Sequence, residues 1–325
     1  MQTPTKKPLG VIEVLASGFE LVLQNPWILF LPVLVDLFVW LGPQISIKPL
    51  AQNWLALLNT GAVLPPNPSA EMQENWDMFR AMLQGAGDTF NFFGVIATGI
   101  PSLLWLNTPS VPARQVIAEI PNGTTLVAML APLALVGVAL TAFYLELIGR
   151  AVRKETGWQS FLPRVVRAFA TITLYGIALL IGMFGVMLPL SLVATVLLGI
   201  NQGIASSIVL LGTVAMIWAT LYLAFALPSI IVSGANALQA IVNSARIFRF
   251  DFPAAMGLIV LTYLIHWGFG IIWQFLFDTP WGVLFDVIAN AFLGSGLTAA
   301  VMIFYADRMA LFDELRARMI AKVKG

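Results

Sequence analysis

Four side chains able to do chemistry stand inside long apolar runs of this chain: Asp36, His266, Asp286 and Asn290. Titratable groups are costly in the interior of a bilayer, so each is a candidate functional residue if its surroundings are a membrane. Counted at about 1.5 Å per residue from Pro26 and Pro253, Asp36 and His266 each fall roughly 15 to 20 Å into such a layer, near its middle. A carboxylate hydrogen-bonded to the only histidine would make a proton-linked or substrate site, because imidazole titrates near neutrality. The competing reading puts Asp36 near the outer interface and has His266 bond a carbonyl of a neighbouring helix. Asp36, His266 and Asn290 together form the candidate buried polar site. Asp286, close after a Thr279 to Gly282 turn, is expected to face outer headgroups or an external cap. Glu146 is expected to pair with Arg150 four residues on.

Composition says what must position these groups. Of the 325 residues 59% are hydrophobic and 10% charged, with a mean hydropathy of +0.89, which no water-solvated domain of ordinary make-up approaches. A net charge of +1 supplies no cation cluster for nucleic acid, so no nucleic-acid partner is expected. The absence of cysteine removes disulfides, thiolate chemistry and cysteine metal sites, and one histidine removes multi-histidine metal or haem centres. Carboxylate-only metal binding stays open. Cofactors, a metal centre and catalytic residues are not expected, since no nucleophile set or phosphate loop is present, and the chain is read as not an enzyme.

Six segments are long and apolar enough for a bilayer core of roughly 30 Å: Trp27 to Ile45, Leu126 to Ile148, Phe169 to Leu192, Ile208 to Val232, Ala254 to Phe277 and Val283 to Tyr305. With both termini cytoplasmic, fourteen of the seventeen Lys and Arg residues lie inside, and only Lys48, Arg80 and Arg114 lie outside. The expected fold is an all-α integral membrane protein of six transmembrane helices arranged as three hairpin units. Its parts are a cytoplasmic amphipathic helix (1–25), the first span (26–45), an external helical cap (46–125), five further spans (126–305) and an amphipathic cytoplasmic tail (306–325). The segment Thr89 to Leu106 is nearly long enough to cross, but a crossing there would export the cluster from Arg150 to Arg167. It is expected to be re-entrant or interfacial within the cap.

Each odd-numbered span is preceded by an amphipathic stretch: Leu9 to Gln24, Trp158 to Ala168 and Asn236 to Phe250. The first and third end in breakers, Asn25-Pro26 and Asp251-Phe252-Pro253, that let a surface helix turn into the membrane. Glu13 and Glu20 interrupt the apolar character after Lys6 and Lys7, so the N-terminus is not expected to be a cleaved signal. Gly199 with Gly203, and Gly296 with Ala300, have the spacing that lets helices approach closely. Arg246, Arg249, Arg316, Arg318 and Lys322 are candidates for contact with lipid headgroups or with a partner.

The run from Leu223 to Leu261 (LAFALPSIIVSGANALQAIVNSARIFRFDFPAAMGLIVL) and the opening from Gly18 to Leu37 (GFELVLQNPWILFLPVLVDL) resemble a poorly characterised prokaryotic multipass family. It is related to the membrane domain of glycerophosphoryl diester phosphodiesterases and to YciC-like inner-membrane proteins. The resemblance spans most of the helical part and not the external region, and its motifs are of low specificity. It implies a prokaryotic plasma (inner) membrane location and carries no catalytic residue to this chain, because the soluble phosphodiesterase domain of some relatives has no counterpart here. The functional expectation is a non-catalytic membrane subunit or scaffold that organises a larger assembly, with membrane lipids and other membrane subunits as partners. The alternative is a transporter or lipid-handling protein with a polar site among the hairpins.

Overall fold

The computed structural model describes residues 8–59, 70–103, 116–198, 200–276 and 279–324. The described residues are about 84% helical. Among the described residues five helices are long and apolar enough to cross a membrane, or six if Val11–Gln24 and Pro26–Leu41 count as one bent span. The chain forms two compact units, one of Met1–Asn25, Leu145–Gly268 and Ser295–Gly325, the other of Pro26–Tyr144 and Phe269–Gly294.

The first unit is built on α1 (Val11–Gln24), α6 (Phe161–Leu198), α7 (Gln202–Leu223), α8 (Ala226–Val232) and α9 (Ala237–Phe250). It also takes the end of α5 (Gly123–Val152), most of α10 (Phe252–Gln274) and the later part of α11 (Pro280–Lys324). Here α1 lies on α11 through the small residues the sequence singles out. A Cβ on Gly18 would stand 2.4 Å from the Gly296 carbonyl oxygen and 2.8 Å from the Ala300 Cβ. Phe19 covers Gly296 from the other side, where a Cβ would meet its ring at 2.3 Å. The buried Arg308 ties three segments together: Nε donates to Asp251 (2.7 Å), Nη1 to Asp307 (2.5 Å) and Nη2 to the Leu9 carbonyl (2.9 Å). Its guanidinium also lies over Phe304. The joint between α7 and α8 falls four residues before Pro228, whose ring displaces the carbonyl of Ala224 and which offers no N–H. Ser244 repairs the break, accepting from the Phe225 N–H (2.9 Å) and donating to the Tyr222 carbonyl (2.7 Å).

Some boundaries differ from expectation. The stretch Trp158 to Ala168 is not a separate amphipathic helix, because α6 runs unbroken from Phe161 to Leu198. Pro163 sits in its first turn, where a missing N–H costs nothing, and no Asn-Pro or Asp-Phe-Pro breaker follows. The tail 306–325 continues the last span within α11 for the same reason.

The second unit holds the 3-10 turn Pro26–Leu29, α2 (Phe30–Leu41), α3 (Lys48–Asn59) and α4 (Ala70–Thr89), the 3-10 turn Phe92–Ala97, the first part of α5 and the start of α11. The expected helical cap contains a two-stranded parallel sheet, β1 (Gln44–Ser46) on β2 (Val116–Glu119), with Ile45 opposite Ala118 and Ser46 opposite Glu119. Ile45, Leu50, Phe92 and Ile120 form its core, backed by Leu126, Met129 and Leu133 of α5.

Gly18→Val should force α1 away from α11, with a cost of about 1 to 3 kcal/mol as for overpacked cores. A lower thermal midpoint in detergent is the expected result; an unchanged midpoint would contradict the close approach.

Candidate functional site

Asn91 opens the region where polar groups concentrate. Ser46 bridges to Asn91 and also pairs with Glu119 in the sheet, so the chain leaves and returns to the same strand. Between those points it runs down α5: the carbonyls of Val95 and Ile96 lie against Gly137, where a Cβ would stand 2.9 and 3.1 Å from them. Thr141 donates its hydroxyl to the Thr98 carbonyl, and Gly99 takes φ +82°, a conformation that favours glycine, with Thr141 beside it. Gly137 and Thr141 are roughly 21 and 27 Å along α5 from Gly123 at the usual helical rise. The described part of the segment expected to be re-entrant or interfacial, up to Leu103, therefore lies against the middle of α5, and the chain pairs with β1 again at Glu119.

Non-helical backbone at such depth persists only where protein partners replace water. Asn91 is fully buried and uses both ends of its amide. Its Oδ1 accepts from the N–H groups of Ile45 and Phe93 (3.2 Å each), and its Nδ2 donates to the carbonyls of Val39 and Pro43 (3.2 Å each). Asp36, 0% exposed on α2, accepts from the Ser102 hydroxyl and from the Leu103 N–H at 3.2 Å. Its carboxylate thus holds Ser102 and Leu103. His266, the other member of the pair considered from the sequence, is exposed on α10 in the first unit.

Asn290 is buried, and so is Asp286, at 0% exposure, which does not fit the headgroup alternative of its expected setting and leaves that of the external cap. The two share the inward face of α11 with Val283, Val287 and Ala291, one helical turn apart. Among the described residues both Asp286 oxygens, Asn290 Nδ2 and Trp273 Nε1 have no hydrogen-bond partner. Trp273 approaches this helix through Phe285, with ring centroids 6.2 Å apart.

The first unit carries a separate ionic cluster. Glu146 pairs with Arg153, not with Arg150 as expected, because Arg150 instead stacks over Trp158 at 3.6 Å and donates to the Thr156 carbonyl at 2.9 Å. Arg153 also reaches Glu155 (2.8 Å) and the Ile231 carbonyl (2.7 Å), and Arg164 reaches Glu155 at 2.5 Å. These residues line a cavity of about 300 Å³ with Arg167 and Gly234. Burial pushes the Glu155 carboxyl up, but hydrogen bonds and charge from Arg153 and Arg164 outweigh it and hold it below the ordinary value of 4.5. A larger groove of about 670 Å³ lies between α1, the end of α5 and α11, with Glu20, Lys154, Asp307 and Glu314 on its walls.

Among the basic candidates, Arg246 bonds Asn243 (3.1 Å) and lies 5.2 Å from the Phe312 ring, and Arg318 pairs with Glu314 (2.5 Å). Phe312 and Arg318 flank a common apolar groove of about 450 Å³. Arg249 and Arg316 are exposed, and the Lys322 side chain lies outside the described residues, as does Gly199. Among the described residues no group of three His, Cys, Asp or Glu side chains is placed to hold a metal ion. The sequence reading missed Asn91, Ser102, Thr141 and Arg308. A polar Asn within the aromatic run Phe90 to Phe93 was the one local signal, whereas the others depend on contacts far apart in the chain. No family model, curated protein or solved structure matches the chain.

Asp36→Ala leaves the Ser102 hydroxyl and the Leu103 N–H unpaired, a loss of about 1 to 3 kcal/mol per buried group, and Asp36→Asn, which keeps one acceptor, should lose less. Faster amide exchange at Leu103 in the alanine variant, with the asparagine variant between it and the parent, is the expected pattern; equal exchange in all three contradicts the anchor. Because the Glu155 carboxyl is lowered on folding, its contribution is full above about 4.5 and is lost as the pH falls below that value. Glu155→Gln should therefore flatten the decline of thermal midpoint below pH 4.5 and lower the midpoint at neutral pH. A decline as steep as the parent's would refute the assignment.

Proposed function

We propose that this protein is a non-catalytic multipass membrane subunit that organises or stabilises a larger assembly. The observation that carries the reading is the uneven covering of its membrane-length helices. The apolar core window of α11 is 67% buried by its own chain, whereas that of α6 is 6% buried and that of α7 is 11% buried. The α6–α7 hairpin packs on α8 and α9, and its outer residues Leu174, Ile177, Ile181 and Phe184 on α6 and Leu211 on α7 are exposed. An exposed apolar face of this kind suits packing against other membrane helices. A Cβ added at Gly182 or Gly185 on α6 would meet no neighbouring atom within 4 Å, which would let a neighbouring helix come close. The family resemblance agrees with an inner-membrane location, and the charge distribution with both termini in the cytoplasm.

A second reading, a transporter or lipid-handling protein, is favoured by one observation: the unpartnered Asp286 and Asn290 on the inward face of α11. Polar groups left bare at membrane depth fit a ligand that supplies the missing bonds.

Mild-detergent purification from native membranes separates the two. The subunit reading predicts recovery with other membrane polypeptides, and predicts that Gly182→Leu with Gly185→Leu, which the single chain accommodates, releases them without lowering the thermal midpoint. Recovery of the bare chain, stabilised by a small ligand, would overturn that reading in favour of transport.

A further inference from the structure

We infer that the arginine-lined cavity between the α5–α6 turn and the end of α8 binds a phosphate group, that of an anionic phospholipid in the adjoining leaflet. The inference goes beyond the subunit reading and does not depend on it.

The cavity holds about 300 Å³, and its charged walls are Glu146, Arg153, Glu155, Arg164 and Arg167. Three guanidinium groups against two carboxylates leave one positive charge over. Arg153 commits all three of its nitrogens: Nε to Glu155, Nη1 to the Ile231 carbonyl and Nη2 to Glu146. Arg164 commits only Nη1, to Glu155, and Arg167 only Nη2, to the Gly234 carbonyl. Among the described residues their other nitrogens have no partner. The two arginines stand three residues apart on one side of α6 and stay accessible, Arg164 with 39% of its side chain exposed. Two guanidinium forks with spare donors match the anionic oxygens of a phosphate, which accept paired N–H groups.

The surroundings select the source of that phosphate. The membrane-length helix α5 ends at Val152 and the membrane-length helix α6 begins at Phe161, so the cavity sits where both leave the hydrocarbon. Trp158 in the turn between them is 57% exposed, as an aromatic side chain at headgroup level would be. Past Arg167 the same side of α6 carries Ala170, Leu174 and Ile177, all exposed, reaching roughly 15 Å from Arg167 at the usual helical rise. A phosphate on Arg164 and Arg167 therefore has an apolar stripe running away beneath it, the relation of headgroup to acyl chain. Gly182 and Gly185, offered to a neighbouring helix, stand deeper on α6. Basic pockets among membrane helices on the cytoplasmic side are suited to anionic lipids, and the charge distribution of the chain puts this turn on that side. Free phosphate would meet the arginines but gain nothing from the stripe.

The full chain in a non-ionic detergent can be titrated with phosphatidylglycerol, phosphatidylcholine or inorganic phosphate, reading the thermal midpoint and the lipid adducts in native mass spectra. Phosphatidylglycerol should raise the midpoint and add one lipid per chain. Phosphatidylcholine, whose choline cancels the phosphate charge, should bind several-fold more weakly, and inorganic phosphate at the same concentration should leave the midpoint unchanged. Arg167→Gln should weaken phosphatidylglycerol binding several-fold, and Arg167→Glu should abolish it. Arg167 is exposed and bonds only a carbonyl, so both variants are expected to fold, which their midpoints without lipid check. Arg249→Gln, at an exposed arginine outside the cavity, should bind like the parent. Equal binding by the parent and Arg167→Glu, or an equal loss in Arg249→Gln, would overturn the site. Inorganic phosphate as effective as the lipid would overturn the lipid as its occupant. None of these outcomes turns on whether other polypeptides are recovered with the chain, which tests the subunit reading separately.

Discussion

A membrane interior contains no water to bond a polar group, and the organisation of this protein follows from that one constraint. Helices satisfy their own backbone, so most of the chain is helical. Where the chain leaves helix geometry at depth, between Asn91 and Leu103, side chains take over the work. Asn91 uses its donors and its acceptor, Thr141 reaches the Thr98 carbonyl, and Asp36 receives the Ser102 hydroxyl and the Leu103 N–H. Gly137 lets the backbone lie directly on α5. An ionisable residue on an apolar helix is thereby explained as a structural anchor: the Asp36 carboxylate accepts from donors that need it.

The same logic governs the other unit. The joints at Asn25 and Asp251 interrupt helices, and each interruption exposes polar backbone. Asn25 bonds the Leu21 carbonyl (2.8 Å), and Arg308 gathers the Asp251 carboxylate, Asp307 and the Leu9 carbonyl around one guanidinium. Ser229, Ser233, Asn243 and Tyr305 form a hydroxyl and amide network across α8, α9 and α11, with Tyr305 donating to Ser229 at 3.0 Å and Asn243 to Ser229 at 3.1 Å. Set against this pairing, the Asp286 oxygens, Asn290 Nδ2 and Trp273 Nε1 stand among the buried atoms that find no partner among the described residues. They are where ligand or partner chemistry is sought.

Much of this was legible from residue types. Long apolar runs set five helices, whereas the expected first span, Trp27 to Ile45, is divided among a 3-10 turn, the twelve-residue α2 and the start of β1; the breakers Asn25-Pro26 and Asp251-Phe252-Pro253 marked two joints, because a missing N–H and a fixed φ act locally. Gly296 and Ala300 signalled a close approach that α1 makes with Gly18. What hydropathy could not show was rotation about a helix axis. Nothing in the spacing of α10 places His266 outward, and nothing in α11 places Asp286 inward. Partners far apart in the chain were equally hidden: Asp36 and Ser102 are 66 residues apart. The segment from Thr89 to Leu106 is apolar like a span, yet Gly94, Gly99 and Pro101 deny it a continuous helix, and these were the readable clue.

We propose that this segment dips and returns, so that only α5 separates α4 from the loop before α6. Single cysteines at Gln73 in α4 and Gly157 in that loop, treated with a membrane-impermeant maleimide, test it most directly. The account predicts labelling of position 73 in intact cells and of position 157 only after the membrane is opened. Labelling of both from the same side would show that the segment crosses, and would contradict it.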